Sequence, residues 1–285
     1  MNWLYKTDRF LGLNAEFSQA QWVYFGIPMD FTASFQPGSR FGPARVREAS
    51  YGIETYSLAQ DRDLEDLLVA DAGDIELPFG NVEESLHRIE ETAKAVLDQG
   101  RRFFALGGEH LVTLPLIRSA VSRFPDLAVI HFDAHADLRD QYLGERLSHA
   151  TVLRRVSEHL RPMHLYQFGI RSATRDEVAY ARNATHFYPH QVLTPLKRCL
   201  DELKGRPVYV TIDIDVIDPA FMPGTGTPEP GGISSAEALE AVRLFSELNV
   251  VSMDLVETMP AYDISQRSAV LAAKLVREAL LAICR

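Results

Sequence analysis

The stretch VIHFDAHAD at residues 129–137 decides the fold, because it reads as a buried strand that ends in metal-binding side chains. Its first part, residues 129–132, is mostly β-branched and aromatic, which is typical of a buried strand. Asp133, His135 and Asp137 follow at alternate positions, so an extended chain would point their side chains the same way. Two carboxylates and an imidazole at the end of a strand predict a site for a divalent metal.

A second stretch, VYVTIDIDVIDP at residues 208–219, repeats this pattern. Apolar residues lead to Asp213 and Asp215, which again lie two positions apart at the end of a strand-like run. We therefore expect the fold to bring the ends of these two strands together.

Strand-like and helix-like segments alternate along the whole chain. Runs typical of strands lie at 22–27, 67–71, 103–106, 129–132, 164–170, 186–189, 208–215 and 250–257. Helical patterns lie at 43–50, 82–98, 111–123, 149–159, 175–183, 191–203, 234–248 and 264–283. This alternation predicts an α/β fold with a mostly parallel sheet covered on both faces.

Ligands in such folds bind at the carboxyl ends of the strands. The acidic and histidine residues that stand out in the sequence all fall at the ends of predicted strands: His110, Asp133, His135, Asp137, Asp213, Asp215 and Glu257. A lone histidine such as His110 is more often a hydrogen-bonded structural residue, and a lone aspartate can cap a loop. The coincidence of all of them at one edge favours a functional site.

The chain shows no composition break, linker or internal repeat, which predicts one domain over 1–285. Residues 1–20 are expected to form an N-terminal arm or short helix, whose aromatic residues pack either on a neighbouring subunit or on the chain's own core. Residues 28–43 are rich in glycine and proline, and so long a loop is functional, interfacial or a plain connection.

Composition excludes several classes of partner. The formal net charge of −10 argues against nucleic acid, which requires a basic surface, and suits a small cationic substrate. No apolar run is long enough to cross a membrane, and the N-terminus lacks a signal-peptide pattern. Cys199 and Cys284 are expected to be reduced thiols, and these features together predict a cytoplasmic protein.

The predicted cluster holds more negative charge than a protein can gather without cations. Asp133, Asp137, Asp213 and Asp215 would repel one another, and several would have to stay protonated. Two divalent ions would neutralise the four carboxylates, with His110 and His135 adding nitrogen ligands. An oxygen-rich set with two imidazoles favours Mn²⁺ over a structural zinc, and such a pair of ions activates water. The residues therefore predict a two-metal hydrolase.

At this point the sequence resembles the ureohydrolases, the family that includes the arginases. The stretches that carry the resemblance are PMDFTASFQPGSRFGPARVREAS (28–50), DAGDI (71–75), GGEH (107–110), FDAHADLRD (132–140), SHATVLRR (148–155), TIDIDVIDPAFMPGTGTPEPGG (211–232) and DLVETMP (254–260). The resemblance implies a three-layer α/β/α sandwich with a mainly parallel eight-stranded sheet, two Mn²⁺ per subunit, and a homo-oligomer, either a trimer or a hexamer.

The ligand sets also come from the resemblance. It implies that His110, Asp133, Asp137 and Asp213 hold one ion, and that His135, Asp133, Asp213 and Asp215 hold the other. Asp133 and Asp213 would then bridge the two ions.

The implied reaction is hydrolysis of a guanidinium group to urea and an amine by a metal-bridging hydroxide. Asp137 would orient the hydroxide, Glu257 would pair with the guanidinium, and His149 would move protons. Thr227 would contact the substrate. Without the resemblance, Glu257 reads as a surface ion pair and His149 as a solvated residue at a helix start.

The loop at 138–148 bears on which guanidine is cleaved, because it lacks the serine-, threonine- and asparagine-rich character of arginase-like members. Asp140 and Glu145 are expected to bind the distal ammonium of agmatine, which would give putrescine and urea. A guanidino acid such as guanidinobutyrate would instead use Arg139 or Arg146, and N1-aminopropylagmatine would need an open acidic entrance. Arginine is the less expected substrate.

Two functions other than guanidine hydrolysis are also compatible with the sequence. A metal-dependent deacetylase on a related fold would hold about one ion per chain and leave His110 and Asp137 without a role. A non-catalytic binding module would have no physical need for the full set of ligands.

Overall fold

The computed structural model describes residues 3–284, in which strands and helices alternate as the sequence predicts. The strands are β1 Leu4–Tyr5, β2 Trp22–Ile27, β3 Tyr56–Ser57, β4 Arg62–Asp63, β5 Val69–Ile75, β6 Arg102–Gly107, β7 Ala128–Phe132, β8 Leu165–Phe168, β9 His186–Tyr188, β10 Pro207–Asp213 and β11 Asn249–Val256. The α-helices are α1 Gly42–Ser50, α2 Val82–Asp98, α3 Thr113–Arg123, α4 Val152–Ser157, α5 Arg175–Ala184, α6 Leu193–Leu203, α7 Ser235–Arg243 and α8 Arg267–Ile283.

One large sheet organises the described part of the chain. Its strand order is β1-β5-β2-β6-β11-β10-β7-β8-β9, and every neighbouring pair is parallel except β1 with β5. The mainly parallel sheet is therefore confirmed, with eight parallel strands and a ninth, two-residue antiparallel strand at one edge. Strands β3 and β4 form a separate hairpin.

Helices cover both faces of the sheet, so the three-layer arrangement is confirmed. Successive strand residues alternate faces, and Val23 and Tyr24 accordingly belong to two different buried clusters. Helices α1, α6, α7 and α8 contribute to the cluster of Tyr24, and α2, α3, α4 and α5 contribute to that of Val23. Both faces of the sheet are thereby removed from water.

The N-terminal segment differs from the sequence expectation of an arm or helix. Among residues 3–20 the structure has no helix, and β1 pairs with the edge of β5. Phe10 is buried in the core, whereas Tyr5 stays 46% exposed. The segment therefore packs on its own chain. Its short strand β1 pairs with backbone groups at the edge of the sheet, and no local sequence pattern predicts this pairing.

Several boundaries of strands and helices also differ from those predicted from the sequence. The strand expected at 67–71 is β5, which begins two residues later and continues through DAGDI to Ile75. The expected helix at 149–159 begins as a 3₁₀ turn, His149–Thr151, before α4. The capping box predicted for Ser234 and Glu237 is present at the start of α7.

Two further observations concern the cysteines and the membrane. Cys199 and Cys284 are buried free thiols. Within residues 3–284, no helix has the length and apolar character needed to cross a bilayer. That residues 1–285 form a single domain stays a prediction.

A buried ion cluster fixes α1 to β5. Arg47 is 1% exposed, and its guanidinium donates to both oxygens of Asp71, at 2.9 and 3.0 Å, and to Asp74 at 2.5 Å. We expect Arg47→Met to lower the free energy of unfolding by about 3–5 kcal/mol, because two buried carboxylates lose their cation. Urea unfolding followed by circular dichroism measures the change.

The matched control lies on the same helix. Arg45 pairs with Glu48 at the surface, where both side chains are well exposed, so Arg45→Met should change the stability by about 0.5 kcal/mol or less. Equal small changes in both variants would contradict a structural role for the Arg47 cluster.

Candidate metal centre

Four neighbouring strands in the middle of the sheet deliver the candidate site. Their order is β6-β11-β10-β7, and all four are parallel, so their carboxyl ends meet at one edge. His110 follows β6, Glu257 follows β11, Asp213 ends β10 and Asp133 follows β7. The sequence prediction that these strand ends come together is therefore confirmed.

Gly108 lets the chain turn into the site after β6. A Cβ atom at Gly108 would lie 1.8 Å from the carbonyl oxygen of Met29, so no larger residue fits there. The next residue, Glu109, donates its N–H to the same carbonyl at 2.7 Å. This close approach places His110 directly above the sheet.

The expectation that Asp133, His135 and Asp137 lie along one extended chain is wrong, because β7 ends at Phe132. The Asp133 carboxylate accepts the N–H of His135 at 2.6 Å, which turns the chain, and Asp137 has a left-handed backbone with φ 54°. The side chains still converge, but through this turn and not through strand alternation.

His110 lies at the meeting point of three carboxylates. Its Nδ1 atom is 3.1 Å from Asp133 Oδ2 and 3.3 Å from Oδ2 of both Asp137 and Asp213. Nδ1 is buried and makes no hydrogen bond of good geometry. One nitrogen and three oxygens that face one another at these distances are a donor set typical of a metal site.

The other ring nitrogen of His110 fixes which atom faces this point. Nε2 is 3.1 Å from Thr211 Oγ1, and that hydroxyl donates to Asp254 at 2.6 Å. Since the Thr211 hydrogen is used, its oxygen accepts from Nε2–H, and Nδ1 carries the lone pair. His110 is thus oriented as a ligand.

A second group of donors lies beside the first. His135 Nδ1 is 2.9 Å from Asp215 Oδ2 and 3.4 Å from Asp133 Oδ1. Asp133 therefore faces His110 with one oxygen and His135 with the other. This arrangement fits a carboxylate shared between two ions.

The pKa shifts of the cluster show how poorly it tolerates its own charge. Burial and the charges of Asp215 and Asp133 raise the pKa of Asp213 well above its ordinary value. Burial and the charge of Asp133 raise the pKa of Asp137 to about 7. Burial lowers the pKa of His110, but the carboxylates of Asp133, Asp137 and Asp213 favour its protonated form and raise the pKa well above its ordinary value. The donor set therefore fits divalent cations, which would relieve this repulsion.

His131 is a site neighbour that sequence reasoning missed. It is fully buried, its Nε2 lies 2.8 Å from Asp133 Oδ2, and its Nδ1 accepts from Gln167 Nε2 at 3.1 Å. The alternation of β7 was an available signal, because His131 lies two residues before Asp133 on the same side of the strand.

A cavity of about 240 Å³ opens above the cluster. Seven predicted site residues line it: His110, His135, Asp137, Asp213, Thr227, His149 and Glu257. Arg139, which the sequence predicts for a carboxylate-ended substrate, also lines it. Five further polar or aromatic lining residues were not singled out from the sequence: Ser34, Tyr142, Ser172, Thr174 and Glu177. Thr227 donates to Asp215 Oδ2 at 3.4 Å, which is a weak bond.

Asp140 and Glu145 are not among the residues that line this cavity. The exposed Asp140 carboxylate accepts from Arg155 at 2.7 Å, and Glu145 pairs through its backbone with Tyr142. Both side chains belong to the rim of the 138–148 loop, and the prediction that they bind substrate stays untested.

Glu257 lies at the floor of the cavity in a left-handed backbone with φ 63°. Its Oε1 accepts the N–H of His110 at 2.8 Å, and its own N–H donates to Gly108 at 2.8 Å. Burial raises the pKa of Glu257 to about 8. Left-handed conformations are costly for residues other than glycine. Seven such residues lie in the described part of the chain, and two of them, Asp137 and Glu257, line the cavity.

His149 lies at the wall of the cavity, where hydroxyl groups surround both of its ring nitrogens. Nδ1 lies 3.3 Å from the hydroxyls of Thr32 and Ser148, and Nε2 lies 3.1 Å from that of Ser34. Burial lowers the pKa of His149 to about 4, so its imidazole is neutral at pH 7.

Comparison with known proteins identifies the class of this site. Residues 20–282 match the model of the Arginase family. The chain is 51% identical to the agmatinase of Bacillus subtilis over 97% of both chains, and 36% identical to the human mitochondrial guanidino acid hydrolase over 92% of this chain and 78% of that protein. A crystal structure of a putative agmatinase from Clostridium difficile superposes with a TM-score of 0.91 at 38% identity, covering 94% of this chain and 99% of that one.

The family match spans nearly the whole chain and includes every strand that delivers the site. The resemblance to the ureohydrolases that the sequence motifs indicate is thereby confirmed. The chain belongs to the arginase family and is a ureohydrolase.

Proposed function

We propose that the protein hydrolyses agmatine to putrescine and urea at a centre that holds two Mn²⁺ ions. The observation that carries the proposal is the buried, unpartnered Nδ1 of His110 among three carboxylates, directly beside the cavity carboxylate of Glu257. Identity of 51% to a Bacillus agmatinase supports agmatine as the substrate.

The ligands divide into two overlapping sets. His110, Asp133, Asp137 and Asp213 would hold one ion, and His135, Asp133, Asp213 and Asp215 would hold the other. When bound, the two ions would lower the pKa of a coordinated water, which supplies a nucleophile at neutral pH. His131 would keep Asp133 oriented by donating to its Oδ2.

Glu257 would hold the guanidinium. Its Oε1 already accepts from His110, which fixes the carboxylate and leaves its other oxygen to pair with the substrate. Because burial raises the pKa of Glu257 to about 8, a bound cation is needed to stabilise the ionised form. The buried carboxylate of Glu257 therefore favours a cationic guanidinium as its partner.

His149 would transfer a proton to the leaving amine. The ring is neutral at pH 7, so it would first accept the proton released by the attacking water and then pass that proton to the leaving amine. Its position at the wall, between Tyr142 and the loop at 28–43, keeps it within the cavity without contact to the carboxylate cluster. An imidazole in such a place suits general acid–base chemistry.

A guanidino acid is the second candidate substrate, and Arg139 is the observation that favours it. Arg139 lines the cavity, lies over the ring of Tyr142 at 4.9 Å, and would attract a terminal carboxylate. Agmatine remains our proposal, because Glu177 Oε2 lies 3.8 Å from Arg139 Nε and places a negative charge beside the guanidinium. Arg146, the other predicted cation, pairs with Asp140 at 3.4 Å at the rim.

Urea release by the manganese-loaded protein tests the proposal across agmatine, N1-aminopropylagmatine, guanidinobutyrate and arginine. We expect agmatine to dominate, and Arg139→Gln to leave its kcat/KM within about threefold, because the guanidinium of Arg139 is already paired. Arg146→Gln, at the rim, is the matched control.

Each other outcome has a definite meaning. Preference for guanidinobutyrate that is lost in Arg139→Gln would establish the second candidate. No urea from any of the four substrates, with both ions bound, would contradict the proposed reaction and favour a deacetylase or a binding module.

We also infer a cytoplasmic homo-oligomer, either a trimer or a hexamer. Two buried free thiols suit a reducing compartment. Light scattering should give three or six times the chain mass of 32.0 kDa, and a mass of 32.0 kDa would contradict the oligomer.

A further inference from the structure

We propose that Thr32 is the positioning residue for His149 and that Glu109 holds Thr32 in place. The inference rests on the proton-transfer role proposed above for His149. It concerns three residues that lie far apart in the sequence, on the 28–43 loop, after β6 and before α4.

The Thr32 hydroxyl contacts His149 at two points. Its Oγ1 accepts the backbone N–H of His149 at 3.0 Å and lies 3.3 Å from the ring Nδ1. A single hydroxyl therefore fixes both the start of the His149–Thr151 turn and the rotation of the ring. The ring of Tyr142 stands edge-on to the imidazole, with centroids 5.8 Å apart.

Glu109 ties Thr32 to the rigid sheet. Its side chain is fully buried, and Oε2 accepts the N–H of Thr32 at 2.7 Å. Glu109 lies between Gly108 and His110, so the same backbone turn that places His110 also places this anchor. A loop that is half-exposed around Thr32 is thus fixed to the centre of the fold.

The loop is closed at its other end by Asp30. The Asp30 carboxylate accepts the N–H of Gly38 at 2.8 Å and forms an ion pair with Arg40. Residues 30–40 are therefore held together by contacts within the chain itself. Thr32 is presented from a fixed support, which is what precise orientation of a catalytic group requires.

The hydrogen bonds also fix which face of the His149 ring meets the cavity. Thr32 Oγ1 lies 3.3 Å from Nδ1, and Ser34 Oγ lies 3.1 Å from Nε2, so each ring nitrogen has a hydroxyl partner in either tautomer. Ser34 lines the cavity, so Nε2 faces the substrate space.

The test is a double-mutant cycle on urea release from agmatine by the manganese-loaded protein. The variants are Thr32→Val, Thr32→Ser, His149→Ala, and Thr32→Val combined with His149→Ala. We expect His149→Ala to lower kcat by about 10²-fold, and Thr32→Val to lower it by about tenfold with KM changed less than about twofold. Thr32→Ser keeps the hydroxyl and should stay within about twofold of the native protein.

The cycle separates positioning from a structural role. If Thr32 acts through His149, Thr32→Val should change the kcat of His149→Ala by less than about twofold. Full additivity, or a change in KM alone, would overturn the proposal. Circular dichroism and manganese content confirm that each variant is folded and loaded, and Thr32→Ala replaces Thr32→Val if the latter does not fold.

Glu109 is tested by the same logic. Glu109→Gln keeps an oxygen acceptor for the Thr32 N–H and should retain most of kcat, whereas Glu109→Leu should lower kcat in a way that is not additive with His149→Ala. Equal manganese content separates this effect from one on His110. Loss of kcat in Glu109→Leu that adds fully to His149→Ala would overturn the role of Glu109.

Failure of the inference differs from failure of the proposed function. Absence of agmatine hydrolysis in the native protein, or full activity of His149→Ala, would remove the function or the role on which the inference rests. Loss in His149→Ala with no loss in Thr32→Val would remove the inference alone.

Discussion

Asp213→Asn should abolish the bound manganese and lower kcat/KM for agmatine by about 10³-fold or more. Asp213 Oδ2 faces the Nδ1 of His110 at 3.3 Å, and Oδ1 accepts the N–H of Asp215 at 2.9 Å. The amide oxygen can still accept the Asp215 N–H, but the variant loses a negative charge and one oxygen ligand at a position proposed to bridge both ions. Several kcal/mol of metal-derived stabilisation corresponds to a factor of about 10³.

Metal analysis and urea release measure this effect directly. Asp201→Asn, on the exposed face of α6, changes the charge by the same amount and should retain both ions and full activity. Two manganese ions per chain and native activity in Asp213→Asn would contradict the proposed centre.

Glu257→Gln should lower kcat/KM for agmatine by about 10²–10³-fold while leaving the manganese content unchanged. The amide oxygen can still accept the His110 N–H, so the local backbone is retained. The charge that would pair with the guanidinium is lost, and breaking a buried charged pair costs about 2–5 kcal/mol.

Two measurements separate recognition from metal binding in this variant. Steady-state kinetics give the loss, and metal analysis shows whether the centre stays loaded. Loss of manganese in parallel with activity would mean that Glu257 acts on the centre and not on the guanidinium. Unchanged kcat/KM would exclude Glu257 from substrate recognition.

The strand ends could be predicted from the sequence, because local patterns report them. Apolar runs followed by polar residues mark where β7 and β10 end, and parallel strands necessarily bring those ends together. The capping box of Ser234 and Glu237 could also be predicted from the sequence, since it depends on two residues that lie three positions apart.

Other features escaped prediction because they depend on distant partners. β1 exists only because the edge of β5 is available to Leu4 and Tyr5. Thr32 meets His149 only after the 28–43 loop closes over the sheet. No local sequence pattern encodes such contacts, so these parts of the site follow only from the folded structure.

The turn at residues 133–137 shows the same limit at finer scale. Spacing alone suggested an extended chain, yet the Asp133 carboxylate captures the next available N–H and bends the backbone. A strand ends where side chains replace neighbouring strands as hydrogen-bond partners of the backbone. The short carboxylate side chain of aspartate does this readily.

The left-handed backbone at Asp137 and Glu257 has a consequence for engineering this chain. Glycine at either position would relieve a conformational cost of about 1 kcal/mol. Glu257→Gly would, however, leave the buried N–H of His110 without its acceptor, and Asp137→Gly would remove a proposed metal ligand, so both changes would also discard the carboxylates proposed for the chemistry. Mutagenesis libraries that leave Asp137 and Glu257 unchanged would yield stabilising substitutions without those that remove the proposed catalytic carboxylates.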